Sequence, residues 1–241
     1  MFDVFFDLCN DFFSCGIECK RQVSLAEYST FHIGGNAEVM IFPCDESKLI
    51  QAIRILEDKK IKYTIIGNGS NMLFSDEGYG GVIINPLNMK NVVVNNCNMY
   101  IECGASITGA AVEARKASLS GLEFAYGIPG TLGGMVYMNA GAYGHEIAEV
   151  LLSVKVYDSK NDTVYELKTE ELEFGYRSSI FIKLPHLIIL SANLKLLNGN
   201  QQAINYLMKE NMRLRQEKQP LDYPSAGSVF KRTQGYFMGK I

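Results

Sequence analysis

An α+β fold with short strands is what the 241-residue sequence predicts, and three observations predict it. Short apolar runs of strand length alternate with segments whose apolar residues recur at helical spacing. No internal repeat is visible. The longest uncharged stretch is broken by glycine and proline instead of continuing as one helix. At this length the chain can bury roughly 70–75% of its unfolded surface, enough for one large domain or two small ones.

The elements follow in order. Residues 1–23 form an N-terminal segment in which Phe2, Phe5, Phe6, Phe12 and Phe13 recur at roughly helical spacing; this predicts an amphipathic packing helix, with a membrane-surface anchor as the alternative. Asp3, Asp7 and Asp11 stand where a secretory signal would be basic, so a cytoplasmic location is expected. EVMIF predicts a strand, and Asp45 caps a helix with Leu49, Ile53 and Leu56 on one face. KYTII predicts a buried strand, followed by a glycine turn, the run MLF, a turn at DEGYGG and the strand VIIN. VVV and MYIEC predict a hairpin, and ITGAAVEARKASL a helix with an alanine-rich face. EVLLSVKVYD, TVYEL and HLIILSANLKLL predict strands separated by the polar segment KTEELEFGYRSS, and residues 201–217 predict a helix with Ile204, Leu207 and Met208 on one face.

Composition excludes several classes. A hydrophobic content of 47% rules out wholesale disorder, and a formal net charge of −3 lacks the basic footprint of a nucleic-acid binder. The six cysteines form no C-x-x-C pair and no Cys/His set with zinc spacing, so no metal is expected and the thiols are expected to be reduced. Residues 124–145 carry no Asp, Glu, Lys or Arg over 22 positions, long enough for a membrane span, but six glycines and Pro129 interrupt them. No membrane span is expected.

Two glycine-rich stretches carry the first chemical signal. In IIGNGSNMLF an apolar strand ends in two glycines and Ser70; glycine there lets backbone N–H groups approach an anion without an intervening Cβ. A doubly wound dinucleotide fold would need glycine where Met72 stands, a helix after it and a later acid, and a P-loop would need Gly-Lys-Ser/Thr; both fingerprints fail. Alone, such a loop is equally an ordinary tight turn. In FAYGIPGTLGGMVYMNAGAYGH each glycine costs about 1 kcal/mol against alanine in a helix, so a close-fitting partner is expected to need the backbone. A planar cofactor with a pyrophosphate tail would take hydrogen bonds from main-chain amides and from Thr131, Asn139 and Ser70. A tightly turned structural loop is the alternative.

Arg177 in FGYRSS is either a solvated surface charge, as most lone arginines are, or a fixed fork of donors for a carboxylate or a developing enolate. Ser228 in PSAGSVFKR has three possible chemical roles beside that of a turn or capping residue: nucleophile, phosphate contact or proton donor. A hydrolase elbow would need G-x-S-x-G and a placed histidine, and neither is recognisable. A serine hydroxyl is a poor acid, so as a donor it suits only a strongly basic partner such as an enolate carbon.

Taken together, five stretches in register, YSTFHIGGNAE, IIGNGSNMLF, GLEFAYGIPGTLGGMVYMNAGAYG, FGYRSSIF and KQPLDYPSAGSVFKR, resemble the UDP-N-acetylenolpyruvoylglucosamine reductase family over residues 24–240. The resemblance implies a flavoenzyme of bacterial peptidoglycan precursor synthesis, with non-covalent FAD in two α+β subdomains of the vanillyl-alcohol-oxidase (PCMH) type. Their expected bounds are about 24–85 and 86–195, and residues 196–241 are expected to start a partial α+β substrate-binding domain. It implies FAD contacts from Gly67, Asn68, Gly69, Ser70 and Asn71, and from Gly127, Pro129, Gly130, Thr131, Gly133, Gly134, Asn139, Gly141 and Ala142. NADPH is the implied hydride donor, and a UDP-sugar enolpyruvyl ether the implied substrate. By similarity Arg177 stabilises the enolate and Ser228 protonates it, with Lys231 and Tyr176 contacting the substrate; Lys231 and Arg232 are placed at the nucleotide phosphates by charge and proximity.

Three departures from the family pattern qualify these expectations. Ser178 stands where many relatives carry an acidic or bulkier residue, and the segment after Arg177 is too short for the long substrate-covering loop of one class. Relatives continue past Ile241 for several dozen residues that bring a catalytic glutamate, so a truncated chain is expected, one that binds FAD and turns over slowly or not at all. The rival expectations are another flavin oxidoreductase of the same fold and a non-catalytic flavin or sugar-nucleotide binder.

Overall fold

The structure, a computed structural model, describes residues 4–231. Its first part runs α1 (Val4–Ser14), β1 (Glu18–Ser24), β2 (Asn36–Phe42), α2 (Glu46–Asp58), β3 (Tyr63–Ile65) and β4 (Tyr79–Ile84). The second runs β5 (Val92–Asn95), β6 (Asn98–Glu102), α3 (Ile107–Lys116), β7 (Leu119–Ser120), α4 (Leu132–Tyr137), β8 (Gly141–Ala142), β9 (His145–Glu146), β10 (Leu151–Asp158), β11 (Thr163–Lys168), α5 (Ile180–Lys183), β12 (Leu187–Lys195), β13 (Leu197–Asn198) and α6 (Gln201–Lys218).

The first sheet has the order β1-β2-β4-β3, with β2 and β3 both parallel to β4 and β1 antiparallel to β2. β2 reads as a continuous apolar run because both faces of the sheet are covered. Val39 and Ile41 point to the side where α2 buries Leu49, Ile53 and Leu56; Met40, between them, points to a second cluster with Leu25, Phe74 and Ile83. Asp45 caps α2 by accepting from the Lys48 amide at 2.8 Å. Each fully buried leucine or isoleucine of that face contributes about 1.5–3 kcal/mol.

The second sheet, β11-β10-β12-β6-β5, is antiparallel throughout. One face, with Met99, Ile101, Val154, Val156, Ala192 and Leu194, packs on Ile107, Ala110 and Ala114 of α3, on α4, and on Ile204 and Met208 of α6. Small alanines let α3 lie close to the strands. The other face supplies Tyr157, Ile188 and Leu190 to the core of α2, so α2 is packed between the two sheets. Two ion pairs reinforce that seam, Lys155 to Glu46 at 2.8 Å and Arg54 to Asp162 at 2.7 Å.

Several elements differ from expectation. β1 has no apolar signature because it is an edge strand with only Val23 buried, yet it extends the first sheet from Glu18. α1 forms, but Leu8 and Phe12 are its buried residues while Phe6 and Phe13 are exposed; Phe2 lies outside the described residues. MLF is no strand, since Leu73 is turned out and Phe74 inward; the turn at DEGYGG forms at residues 76–77, closed by the Gly78 amide on Ser75 O at 3.0 Å, and its last three residues begin β4. α6 packs on the core of the second sheet, so residues 201–218 are joined to the same body as the strands before them. Among the described residues no helix is long and apolar enough to cross a membrane.

The β10–β11 turn gives a pH prediction. Asp158 accepts from the Lys160 and Asn161 amides and from the Asn161 side chain, at 3.0, 3.2 and 2.8 Å. Burial works to raise its pKa, but the Asn161 side chain and the two amides outweigh it and hold the carboxyl below the ordinary 3.8. A lowered folded pKa contributes stability that is complete above the unfolded value and is lost as pH falls through the folded one. The melting temperature is therefore expected to drop below about pH 4, and Asp158→Asn to flatten that part of the profile. A variant with the same acid limb would contradict this assignment.

Candidate active site

β3 delivers the first half of the site. After Ile66, whose amide pairs with Ile84 O at 3.0 Å, the chain turns away from the sheet through residues 67–71. Gly69 is left-handed at φ +61°, and a Cβ there would lie 2.2 Å from Tyr28 O; one at Gly67 would lie 2.4 Å from Thr131 Oγ1. Asn85, fully buried, holds the loop from behind by donating to Gly67 O at 3.2 Å and accepting from the Leu87 amide at 3.2 Å. Asn68 donates to Pro129 O at 3.3 Å and so ties this loop to the second one. Among the described residues the amides of residues 67–71 donate to no protein acceptor. Five successive N–H groups without a protein acceptor, walled by Tyr28, Ser29 and Thr131, form a cradle suited to an anion.

The uncharged glycine-rich run behaves differently. Its amides are mostly spent within the protein: Gly127 on Thr108 Oγ1, Ile128 on Ala125 O, Gly130 on Ile128 O, Leu132 on Ala105 O and Gly133 on Cys103 O. Some of the glycines answer to close packing instead, while a Cβ on Gly130 or Gly134 would meet nothing closer than 3.7 Å. A Cβ on Gly127 would come within 2.8 Å of Met212 Cε, and one on Gly133 within 3.2 Å of Cys103 O. Thr131, buried, caps α4 on the Gly134 amide and faces Gly67. The run is thus the second wall of the cradle more than a second set of donors.

Arg177 sits at the tip of a tight turn whose ends, Gly175 and Ser178, exchange two backbone hydrogen bonds of 3.1 Å. It is left-handed at φ +52° and half-buried. Its Nη1 donates to Asn139 O at 3.2 Å and its Nη2 to Gly141 O at 2.8 Å, while the guanidinium carbon stands 5.1 Å from the Tyr176 ring. Two of five N–H groups are used, leaving three for an anion. Asn139, expected among the cofactor contacts, is fully buried and its side chain is occupied by Gly175 O and the Ala148 amide.

Ser228 and Lys231 lie on the exposed segment after α6. That segment is tied down at Ser225, whose amide donates to Thr30 O at 2.9 Å and whose carbonyl accepts from Thr30 Oγ1 at 2.6 Å. Tyr28 and Ser29, next to Thr30, are the residues against Gly69, so the Ser228 segment is anchored on the first loop's wall. Among the described residues neither Ser228 nor Lys231 is bonded to Arg177. Arg232 lies outside the described residues.

Sequence reasoning passed over Arg215. Its neighbour Arg213 pairs with Glu210 and Glu217, whereas Arg215 is half-buried with no carboxylate partner among the described residues, its Cδ against Gly127. Burial pushes its pKa down and Tyr143 partly opposes this. The pattern of α6, with two arginines a helical half-turn apart, carries no sign of which one turns inward.

The family model for an FAD binding domain matches residues 37–168, and the free amides of the first loop are the donor set a pyrophosphate needs, so the fold and cradle define an FAD-binding protein. A solved UDP-N-acetylenolpyruvylglucosamine reductase from Thermus caldophilus aligns with a TM-score of 0.78 and 31% identity, over 93% of this chain and 77% of that one. Berberine bridge enzyme, at 14% identity and TM-score 0.62 over 81% of this chain and 44% of its own, shares the fold. Among curated relatives, the UDP-N-acetylenolpyruvoylglucosamine reductase of Clostridium novyi is 42% identical over 93% of this chain and 72% of its own length; that of Caldanaerobacter subterraneus is 43% identical over 90% and 71%. The chain belongs to the UDP-N-acetylenolpyruvoylglucosamine reductase family.

Proposed function

We infer that this chain is an FAD-dependent reductase that reduces the enolpyruvyl group of UDP-N-acetylglucosamine enolpyruvate to the lactyl ether of UDP-N-acetylmuramate, with NADPH as hydride source. The observation that carries this reading is the alignment along 93% of the chain with relatives of that name. The peptidoglycan precursor pathway and a cytoplasmic location follow from the reading. Residues 24–195 form the FAD-binding part, with residues 196–241 entering the substrate-binding part. The test is NADPH oxidation by the FAD-loaded chain: it should be stimulated by the enolpyruvyl substrate, and indifference to that substrate would refute the reading.

Residues 67–71 would hold the pyrophosphate of FAD through their free amides and the Ser70 hydroxyl, with Gly127, Pro129, Gly130, Thr131, Gly133, Gly134, Gly141 and Ala142 forming the facing wall. Bound FAD supplies a two-electron carrier between the nicotinamide and the substrate carbon. The chain's own residues handle the charge and the proton. Three unused N–H groups of Arg177 are available to the substrate carboxylate, where negative charge grows as the neighbouring carbon becomes a carbanion. Ser228 donates its hydroxyl proton to that carbon, and a solvent-derived proton restores the hydroxyl. Tyr176 and Lys231 contact the sugar nucleotide.

Arg177→Lys keeps a positive charge but loses the planar fork that holds two carbonyls while facing an anion. Reoxidation of reduced flavin by substrate is expected to slow by about tenfold or more, with reduction by NADPH unaffected. Equal slowing of both half-reactions would assign Arg177 a structural role only.

A further inference from the structure

We propose that Asn139 is the positioning residue of Arg177, and that its side chain makes no contact with the cofactor. This rests on the role given above to Arg177. Asn139 has no accessible surface. Its Nδ2 donates to Gly175 O at 3.1 Å, which fixes one end of the Arg177 turn, and its Oδ1 accepts from the Ala148 amide at 3.3 Å. Its own carbonyl accepts from Arg177 Nη1 at 3.2 Å. One residue therefore grips the turn with its side chain and the guanidinium with its backbone.

The rest of the bracket is built around the same point. Gly141 O, the other acceptor of the guanidinium, is placed by the pairing of β8 with β9, where a Cβ on Gly141 would lie 2.0 Å from His145 O. Ser179, also without accessible surface, donates to Tyr137 O at 2.6 Å and pins the far end of the turn to α4. Asn139 has φ +40°, a left-handed conformation that asparagine adopts more readily than other non-glycine residues. It also carries a donor and an acceptor on one short planar group, which aspartate and serine cannot present in the same way. With both ends of the amide engaged inside the protein, no surface of it is left for a ligand.

The function of the bracket is orientation. A long arginine side chain samples many rotamers, and rate depends on holding the reacting geometry closely. Two carbonyl acceptors fixed by separate devices hold the plane of the Arg177 guanidinium and so set the directions of its unused N–H groups.

The test uses the whole FAD-loaded chain labelled with [15N]arginine, the Arg177 side-chain signals being assigned by their loss in Arg177→Lys. In the wild type, hindered rotation of the bonded guanidinium should give Arg177 two resolved Nη signals at low temperature. In Asn139→Gly, which suits the left-handed φ, these should merge while the Kd for FAD stays within about threefold of wild type. Unchanged Arg177 signals would overturn the proposal, as would an FAD Kd raised about tenfold or more whatever Arg177 does. If Asn139→Gly fails to melt cooperatively, Asn139→Asp replaces it: it keeps shape and φ but sets an oxygen against Gly175 O, and the same two readouts decide. Merged signals in Asn139→Gly, together with unimpaired substrate reoxidation in Arg177→Lys, would remove the enolate role of Arg177 and leave the positioning intact.

Discussion

Gly69→Ala is expected to weaken FAD binding by about a hundredfold or more, or about 2.7 kcal/mol. The new Cβ would lie 2.2 Å from Tyr28 O and 2.8 Å from Ser29 Cα, and both neighbours are backbone, which cannot swing aside as a side chain can. Left-handed φ at this residue adds about 1–2 kcal/mol for any L side chain. Relief requires the loop to lift, and the loop carries all five free amides, so the cradle opens as a unit. Gly80→Ala is the control: it sits in β4 with nothing within 4 Å of the added carbon, and FAD affinity should not change. Wild-type affinity in Gly69→Ala would mean that these amides do not hold the cofactor.

Ser228→Ala should separate the two half-reactions. In single turnovers, where even a slow enzyme can be followed, reduction by NADPH should proceed at the wild-type rate. Reoxidation by the enolpyruvyl substrate should slow about a hundredfold or more, the contribution expected of a placed general acid. Ser228 lies on an exposed segment whose anchor is Ser225 on Thr30, so loss of its hydroxyl should leave melting behaviour nearly unchanged. Impaired reduction would place Ser228 at the nicotinamide step or in the cradle wall and contradict its assignment as proton donor. Arg177 and Ser228 are held by separate parts of the chain but are assigned to the same carbanion, so in a double variant reoxidation should slow by less than the product of the two single effects.

Elements whose apolar pattern is set by their own packing were legible from sequence. β2, β10 and β12 are runs that both sheet faces demand, and α2 shows cap and stripe together. β1 was illegible because an edge strand with one buried side chain has no reason to alternate visibly. α4 was hidden by its glycines: Gly133 disfavours a helix locally, while its lack of a Cβ avoids a tight 3.2 Å approach to Cys103 O. MLF misled because apolar residues beside a ligand loop are not obliged to pair.

The site divides in the same way. Glycines mark close approach, so residues 67–71 and 127–134 could be picked out, but sequence does not say which amides are free; among the described residues those of 67–71 have no protein acceptor and those of 127–134 mostly do. Arg177 looked like any surface arginine because its partners, Asn139 O and Gly141 O, are main-chain atoms nearly forty positions away. Asn139 was legible as important, but sequence did not show that its side chain is engaged by Gly175 O and the Ala148 amide, since a buried amide and a ligand contact leave the same mark in sequence. Arg215 left no mark at all beyond its place near the end of a helix.

Titration of the 15N-labelled chain with FAD, followed by amide NMR, tests the cradle most directly. If residues 67–71 wrap the pyrophosphate, their five amide signals should shift together with a single saturation curve, and a yellow 1:1 complex should result. A folded chain that takes up no FAD, or that takes it up without moving those five signals, would contradict the account.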